Sequence, residues 1–338
     1  MIEIDGSRGE GGGQILRTSI ALSAVSSLPV HIKNIRANRP KPGLAPSHVT
    51  SIEAVAKIAD AEVDDLYPGS KEIVFRPGQL VGGEYEFDVG TAGSISLVLQ
   101  SCLIPAMLAR SRVVMTIKGG TDVRWSPPID YMRLVHVPTL RAFGPSLDLE
   151  VVERGFYPEG GGEVVAEVSP AGGLAAIQLG SQGKLLRIDG VVYARNLPEH
   201  VVMRTKHAAL KSMLECREVR IESDLGKGRS TGAGIVLSAV CENTVLGASA
   251  LGEKGIRAEA LGESCAHDLL ETVSSHATVD EHMLDQMIPY MALAKGRSKV
   301  LAEELTSHAR TNMEVVEAFL GKRFETAEAK GLIEISTI

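Results

Sequence analysis

An internal repeat constrains the fold of this chain more than any other feature of its sequence. The glycines Gly11-Gly12-Gly13 precede an apolar helical pattern from Gln14 to Ser26. Eighty-two residues further on, Gly93-Ser94 precedes a second such pattern from Ile95 to Ala109. Self-similarity at a fixed period is typical of a chain built from copies of one structural unit.

Each copy continues with a second helix and two strands. The helical pattern from His48 to Ile58 recurs 82 residues later, from Asp130 to Phe143. Strand-like alternation follows each of them, at Glu72 to Phe75 and at Leu147 to Val151. The repeating unit is therefore predicted to be strand, helix, strand, helix, strand, strand.

A third copy is split by a segment with a different rhythm. Its first helix is predicted from Glu281 to Ala294 and its second from Asn312 to Leu320. We predict an α+β fold with two-layer α/β units: three βαβαββ repeats in residues 1–182 plus 276–338, and a smaller inserted α/β domain in residues 183–275. The predicted elements of the insert are strands Leu185 to Val192 and Gly234 to Val240, and helices His200 to Met213 and Leu261 to Ser274.

Charge narrows the class of partner. The net charge of −7 gives no overall basic field that would recruit nucleic acid. The first fifty residues nevertheless carry six lysines and arginines against three acidic residues. Such a local excess suits a small polyanion or a single nucleic-acid end, although a solvated charged face is the commoner origin of this pattern.

Cysteine spacing and hydropathy indicate the cellular compartment of the protein. The four cysteines lie far apart with no C-x-x-C pair, so neither a zinc site nor a disulfide framework is indicated. The N-terminus is acidic and glycine-rich, unlike a signal peptide. The longest apolar run, Ile95 to Ala109, is interrupted by Gln100 and Pro105 and is too short to span a bilayer. We therefore expect a cytoplasmic protein that uses no membrane.

The first candidate site is the glycine-rich run from Gly9 to Arg17. A turn of this kind that leads into a helix exposes backbone N–H groups and the positive end of the helix dipole, which attract an anion. Arg17 can reach the same ligand, and Glu10 is a candidate ligand for a divalent metal that bridges phosphate oxygens. A glycine run that only permits a tight turn explains the pattern equally well.

A proline-stiffened loop from Ile35 to Gly43 is the second candidate. It carries Arg36 and Arg39, whose guanidinium groups match the geometry of phosphate oxygens. These residues would form a rigid clamp for a phosphate. The alternative is an ordinary exposed loop with solvated charges, but the rigidity that the prolines give this loop favours the clamp.

Two more segments suit a nucleotide. The single tryptophan, Trp125, lies in a stiff loop that also contains Pro127; it can stack on a base, but a packed core position is commoner. Asp285-Gln286 form a polar pair in an otherwise apolar helix, where they either bond a nucleotide or face solvent.

His308 is the candidate nucleophile. It is predicted to lie in a loop just before the last helix, where Thr311 or Asn312 would act as the cap. An imidazole near neutral pH is a competent nucleophile toward phosphorus. Taken alone, a loop histidine is more often a surface residue.

Together these motifs resemble the RNA 3′-terminal phosphate cyclases. The run from Asp5 to Arg17 is similar to the opening signature of that family, and six further segments match in order along nearly the whole chain. They are Arg36 to Gly43, Gly90 to Gln100, Gly119 to Asp122, Gly155 to Gly162, Asp285-Gln286 and His308 to Asn312.

The resemblance implies a fold of three four-stranded units with a smaller insert, and an ATP-dependent conversion of an RNA 3′-phosphate to a 2′,3′-cyclic phosphate. His308 would take AMP from ATP as a phosphoramidate and pass it to the RNA end, after which the 2′-hydroxyl closes the ring. The remaining implied roles are Gln100, Pro127, His282, Asp285 and Gln286 in the adenylate pocket, Arg17, Arg36 and Arg39 at phosphates of ATP or RNA, and Glu10 at Mg²⁺ or Mn²⁺.

The chain departs from the family pattern at three positions. His282 stands where the bacterial enzymes have a tyrosine against the adenine, which puts this contact in doubt. Ser47 stands where a glutamine is common. Arg124 replaces an uncharged residue of some members and suggests an added phosphate contact.

Three other classes compete with the cyclase reading. A catalytically inactive, cyclase-like ribosome-assembly protein lacks the histidine nucleophile, so His308 argues against it. An enolpyruvyl transferase is also built from repeated units but uses neither the histidine nor the insert, and the acidic pI disfavours a plain RNA-binding module. Because no strong motif falls between Leu185 and Ser274, we expect the insert to be dispensable for nucleotide binding.

Overall fold

A computed structural model describes residues 1–9 and 12–338 of the chain. It confirms the predicted α+β class with helices layered on small sheets. The first unit forms a sheet of order β1-β2-β4-β3, in which β1 and β2 are parallel. Its elements are β1 (Ile2–Asp5), α1 (Gly13–Ser26), β2 (Val30–Lys33), α2 (Pro46–Ile58), β3 (Glu62–Asp64) and β4 (Ile73–Arg76).

The second unit has the same strand order and the same strand directions, with its sheet arranged β5-β6-β8-β7. One difference from the prediction lies in its second helix, which is not a single α-helix. Pro138 has no backbone N–H to donate, and Val137 N donates to Met132 O five residues earlier, so a π-helical turn precedes it. The elements are β5 (Gly83–Asp88), α3 (Ile95–Met107), β6 (Val113–Gly119), α4 (Ile129–Tyr131), the π-helical turn Met132–His136, α5 (Val137–Arg141), β7 (Ser146–Glu153) and β8 (Gly162–Ser169).

The segment read as an insert has a sheet and a hydrophobic core of its own. Its sheet has the order β10-β9-β11-β12, and the Nε2 amide of Gln182 donates to Val273 O at 2.9 Å, so the two ends of the segment meet. The boundaries 183 and 275 stay a prediction. The elements are β9 (Leu185–Arg195), α6 (Glu199–Ser212), β10 (Val219–Gly226), β11 (Gly232–Cys241), β12 (Val245–Leu251) and α7 (Ala258–Ser275).

The last elements form a three-stranded sheet of order β13-β15-β14. Ala175 and Gln178, which precede the insert, make parallel bridges to Lys295 and Lys299, so the chain before the insert takes the place of a first strand. This arrangement agrees with a third repeat split by the insert. The division of the chain into three repeats stays a prediction. The elements are α8 (Glu281–Leu293), β13 (Lys299–Ala302), α9 (Ser307–Leu320), β14 (Phe324–Ala329) and β15 (Leu332–Thr337).

The final helix begins earlier than its sequence pattern indicated. We predicted a start at Asn312, but α9 begins at Ser307 because Thr306 Oγ1 accepts the backbone N–H of Ala309 at 2.9 Å. Neither Thr311 nor Asn312 is the cap. His308 therefore lies in the first turn of a helix and not in a loop.

The insert packs firmly on the second unit. A cluster shared by both contains Tyr131, Val135 and Phe156 from one side and Tyr193 from the other. Arg154, only 3% exposed, pairs with Asp122, Asp130 and Asp224 and lies over the ring of Tyr193. None of the helices in the described ranges combines the length and hydrophobicity that a membrane span requires.

Candidate active site

One cavity of about 1170 Å³ gathers the candidate residues from both ends of the chain. Its walls come from the start of α1, the 36–40 loop, α3, the 125–128 loop, α8 and the start of α9. The predicted metal ligand Glu10 lies outside the described residues. Every other predicted site residue lines this cavity: Arg17, Arg36, Arg39, Gln100, Pro127, His282, Asp285, Gln286 and His308.

His308 is half-buried at the second position of α9. Ser307 and Thr311 from the same turn also line the cavity, so the positive end of the α9 dipole faces the space beside the imidazole. A phosphate group placed there is favoured by the helix terminus and lies within reach of the imidazole.

Asp285 connects this turn to α8. The Thr306 hydroxyl donates to Asp285 Oδ1, so the capping residue of α9 also holds the carboxylate. Burial raises the pKa of Asp285 to about 6, although the Thr306 hydrogen bond and the positive charges of His308 and His282 oppose the rise. The carboxyl group therefore titrates near neutral pH and is electrostatically coupled to His308.

Asn312 fixes the position of α9, a role that the sequence did not reveal. Its side-chain amide donates to the backbone carbonyl of Asp285 at 2.6 Å. Its Oδ1 accepts the hydroxyl proton of Thr18, on α1, at 2.8 Å. Asn312 is only 2% exposed, so these bonds hold α1, α8 and α9 together in a region that excludes water.

His48 is a second residue that sequence reasoning missed. Its Nδ1 accepts the backbone N–H of Ala45 at 3.1 Å, so the proton of the neutral ring is on Nε2. Burial, with the nearby charges of Arg17 and Arg36, lowers the pKa of His48 to about 3. The ring therefore stays neutral and offers an N–H to the cavity. A polar residue five positions beyond the Ile35 to Gly43 loop was the available signal, but the helical pattern concealed it.

The glycine turn needs small residues because the side chains of His48 and Arg17 approach its backbone. A Cβ at Gly13 would lie 2.3 Å from His48 Nε2 and 2.9 Å from an Arg17 nitrogen. Burial lowers the pKa of Arg17 to about 10, and no carboxylate pairs with it in the described part of the chain. Arg17 and His48 thus converge on the start of α1.

The clamp arginines differ in their surroundings. Arg36 donates from Nη1 to the carbonyl of Gly43 at 2.9 Å, so part of its guanidinium holds the loop closed. Burial, and then the charge of Arg39, lower its pKa. Arg39 is exposed, with a guanidinium nitrogen 3.3 Å from the place of a Cβ on Gly12. The loop therefore folds over the glycine turn.

Another part of the cavity wall contains the residues expected around an adenine. Gln100 is 8% exposed, and its Nε2 has no hydrogen-bond partner among the described residues. Ser96 donates to the backbone carbonyl of Pro127 at 2.5 Å and so holds the loop that carries this proline. His282 is well exposed and meets Tyr131 edge-on, with ring centroids 6.2 Å apart. This wall offers an amide donor and flat surfaces.

Three neighbouring residues bear on what the sequence indicated. Arg124 pairs with Glu253 of the insert at 2.8 Å and so ties two loops together, while its suggested phosphate contact stays a prediction. Trp125 is 93% exposed, which rules out a packed core position. Ser249 of β12 lines the cavity, so the insert does contribute to it.

Among the cavity-lining residues that the structure describes, no group of side chains is arranged to bind a metal ion. In residues 1–9 and 12–338, the one group of three potential ligands is His267, Asp268 and Glu271, exposed on α7 and outside the cavity. The cavity residues in the described part of the chain do not form a ready ligand set for Mg²⁺ or Mn²⁺. The prediction that a metal binds in the cavity therefore depends on Glu10.

Comparison with known proteins decides the family. A family model described as RNA 3′-terminal phosphate cyclase matches residues 8–326. The chain belongs to this family. Relatives named RNA 3′-terminal phosphate cyclase include those of Archaeoglobus fulgidus (47% identical, covering 95% of this chain and 96% of the relative), Sulfurisphaera tokodaii (46%, 98% and 98%) and Nitrosospira multiformis (44%, 99% and 96%).

Membership in the cyclase family confirms the resemblance read from the motifs. The match runs from the glycine turn through the insert to the last strands, so the enolpyruvyl transferase alternative is wrong. The roles of individual residues in this family member stay predictions, and the geometry of the cavity is the basis on which they are argued below.

Proposed function

We propose that this chain uses ATP to convert an RNA 3′-terminal phosphate into a 2′,3′-cyclic phosphate, with AMP carried on His308. The observation that carries the proposal is the meeting, in one cavity, of an imidazole at a helix N-terminus with Arg17, Arg36 and Arg39. Family membership and the names of the relatives agree with this activity.

The first step is attack of a neutral His308 nitrogen on the α-phosphorus of ATP. A nitrogen–phosphorus bond forms while the bond to the pyrophosphate oxygen breaks. The guanidinium groups of Arg17 and Arg39 and the N–H of His48 stabilise the charge that develops on the phosphate oxygens. Asp285, coupled to His308, stabilises the positive charge that the imidazole acquires on attack.

The second and third steps transfer AMP to the RNA and release it. An oxygen of the RNA 3′-phosphate attacks the phosphorus of His308-linked AMP, and the bond to nitrogen breaks, which restores the imidazole. The ribose 2′-hydroxyl then attacks the activated 3′-phosphorus, loses its proton, and AMP leaves. Proximity drives ring closure because the nucleophile and the phosphorus share one ribose.

Labelling with ATP that carries radioactive α-phosphate tests this proposal. Wild-type protein should become covalently labelled, and the label should be labile in acid and stable in alkali, as a phosphoramidate is. His308→Ala should remain folded and unlabelled, whereas His267→Ala, which changes an exposed histidine outside the cavity, should label normally. Full labelling of His308→Ala would place the adduct on another residue.

Product analysis separates the active enzyme from the inactive, cyclase-like alternative. RNA with a 3′-phosphate should acquire an end that resists phosphatase, only when ATP is present. An unlabelled wild-type protein that leaves the RNA unchanged would overturn the proposal and favour the inactive branch.

A further inference from the structure

Trp125 combines two features that a folded chain normally avoids. Its side chain is 93% exposed, the highest value among the exposed large hydrophobic residues. Its backbone has φ of +61°, in the left-handed region that bulky residues rarely adopt. An unfavourable conformation that presents an indole to solvent is a reason to look for a ligand.

The loop that carries Trp125 is held rigidly. Ser126 donates to the carbonyl of Val123 at 2.9 Å, and Ile129 N donates to Thr121 O at 3.0 Å. Arg124 pairs with Glu253, and two prolines follow Ser126. A preorganised aromatic surface loses little conformational freedom when a ligand binds to it.

The surroundings of this indole are cationic. Trp125 lines the cavity, which also contains Arg8 and Arg39 on its clamp side. Next to Trp125 in the chain, Arg124 pairs with Glu253 and so brings in the 252–257 loop of the insert, in which Lys254 and Arg257 are exposed. An exposed aromatic ring among cationic side chains is the usual arrangement for binding single-stranded nucleic acid.

We propose that Trp125 is a stacking platform for an unpaired base of the RNA strand close to its 3′ end. The inference rests on the proposed function and adds the feature of the substrate that is recognised: a base face, without hydrogen-bond readout of its identity. Stacking of this kind tolerates any base because every base has a π-face.

Exposure and cavity size favour the RNA over the adenine of ATP as the ligand of Trp125. Small-molecule sites bury most of their ligand and usually occupy roughly 300–1,000 Å³. The cavity of about 1170 Å³ exceeds that range, so it has room for a nucleotide and part of a second ligand. An indole that is 93% exposed lies at the rim, where a strand leaves the site, and not where a nucleotide is enclosed.

The chain contains one tryptophan, so fluorescence excited at the red edge of the indole absorption, where the six tyrosines scarcely absorb, reports on Trp125 alone. Titration with a short oligoribonucleotide that ends in a 3′-phosphate should quench the emission saturably in the absence of ATP. Titration with ATP alone should leave it nearly unchanged. Quenching by ATP with no further change on adding RNA would assign the indole to adenine and overturn the proposal.

Kinetics supply a second, independent test. Trp125→Ala should raise KM for the RNA about 10-fold, within the range for loss of one stacked base. Trp125→Phe should recover most of that loss, and Tyr67→Ala, which removes an exposed aromatic ring outside the cavity, should have no effect. An unchanged KM in Trp125→Ala would refute the platform.

The two proposals fail in distinguishable ways. A wild-type protein that neither labels with ATP nor cyclises RNA refutes the proposed function, whatever Trp125 does. The stacking proposal is tested with oligonucleotides that carry an abasic site at each of the nucleotide positions nearest the 3′ end. If the wild type is active and these strands bind as tightly as the intact strand, the stacking proposal is wrong. The cyclase activity then still stands.

Discussion

Replacing Asp285 with asparagine should stabilise the fold while it impairs the attack on ATP. Burial raises the pKa of Asp285 from its ordinary 3.8 to about 6. At about 1.4 kcal/mol per unit, the free-energy difference is ~3 kcal/mol at most. Because the side chain is only half-buried and solvent screens part of its charge, we expect ~1–3 kcal/mol.

The sign of this effect follows from the direction of the shift. A carboxyl group whose pKa is higher in the folded state than in the unfolded state destabilises the folded protein once it ionises. The penalty is absent below pH 3.8 and complete above about pH 6. Asparagine keeps an oxygen that can accept the hydrogen bond from Thr306 but carries no charge, so Asp285→Asn removes the penalty.

Thermal unfolding across pH 4 to 8 measures the difference. With an unfolding entropy of about 2.1 cal/mol/K per residue, a change of ~3 kcal/mol over this chain raises Tm by roughly 4 °C. The gain in Tm of Asp285→Asn over the wild type should be near zero at pH 4 and largest at pH 8. Asp268→Asn, on the exposed face of α7, is the matched control and should show no such trend.

Labelling of His308 should move in the opposite direction. Without the carboxylate, the positive charge that the imidazole acquires on attack has lost its nearby countercharge, and we expect the labelling rate to fall by about 10²-fold. In the wild type the rate should decline as the pH falls below about 6, where Asp285 becomes protonated. A pH-independent gain in Tm, or full labelling of the stabilised variant, would refute this reasoning.

The remaining predictions concern the phosphate end of the cavity. Arg39→Ala should slow labelling and change the free energy of unfolding, measured in urea, by less than about 0.5 kcal/mol, whereas Arg36→Ala should also lose about 1 kcal/mol because it holds the carbonyl of Gly43. Gly13→Ala should block labelling more strongly than Gly12→Ala, since only the first places a Cβ against His48 Nε2. His48 has a depressed pKa and weakens the fold as pH falls from 6.5 toward 3, so thermal melts of His48→Gln should show less loss of Tm over that interval.

Regular, locally encoded features could be predicted from the sequence. Helices α1 and α2 begin within two residues of their predicted positions because their apolar spacing is regular over more than three turns. The start of α9 could not be predicted from the sequence, because its capping residue Thr306 is held partly by Asp285, which lies on another helix. A pattern along one segment carries no information about such a partner.

The residues of the candidate site fall into two groups: those that sequence motifs predicted and those whose roles only the folded structure reveals. The predicted site residues that matched a motif and that the structure describes, such as His308 and Arg39, line the cavity. The roles of His48 and Asn312 could not be predicted because they depend on contacts with Gly13 and with Thr18, which only the folded chain brings close. The exposure of Trp125 was also unpredictable, since nothing in its neighbours along the chain determines whether an indole is buried.

The bond between Thr18 and Asn312 has a consequence for the biosynthesis of the active protein. These residues are separated by 294 positions, so the ribosome must deliver nearly the whole chain before α1 and α9 can meet. Contacts of such long range form late and slow the folding of a domain. A nascent chain therefore lacks the assembled cavity and cannot react with ATP. Truncation near the C-terminus should abolish labelling even when the first two sheets are intact, which makes adenylylation a sensitive indicator of complete folding.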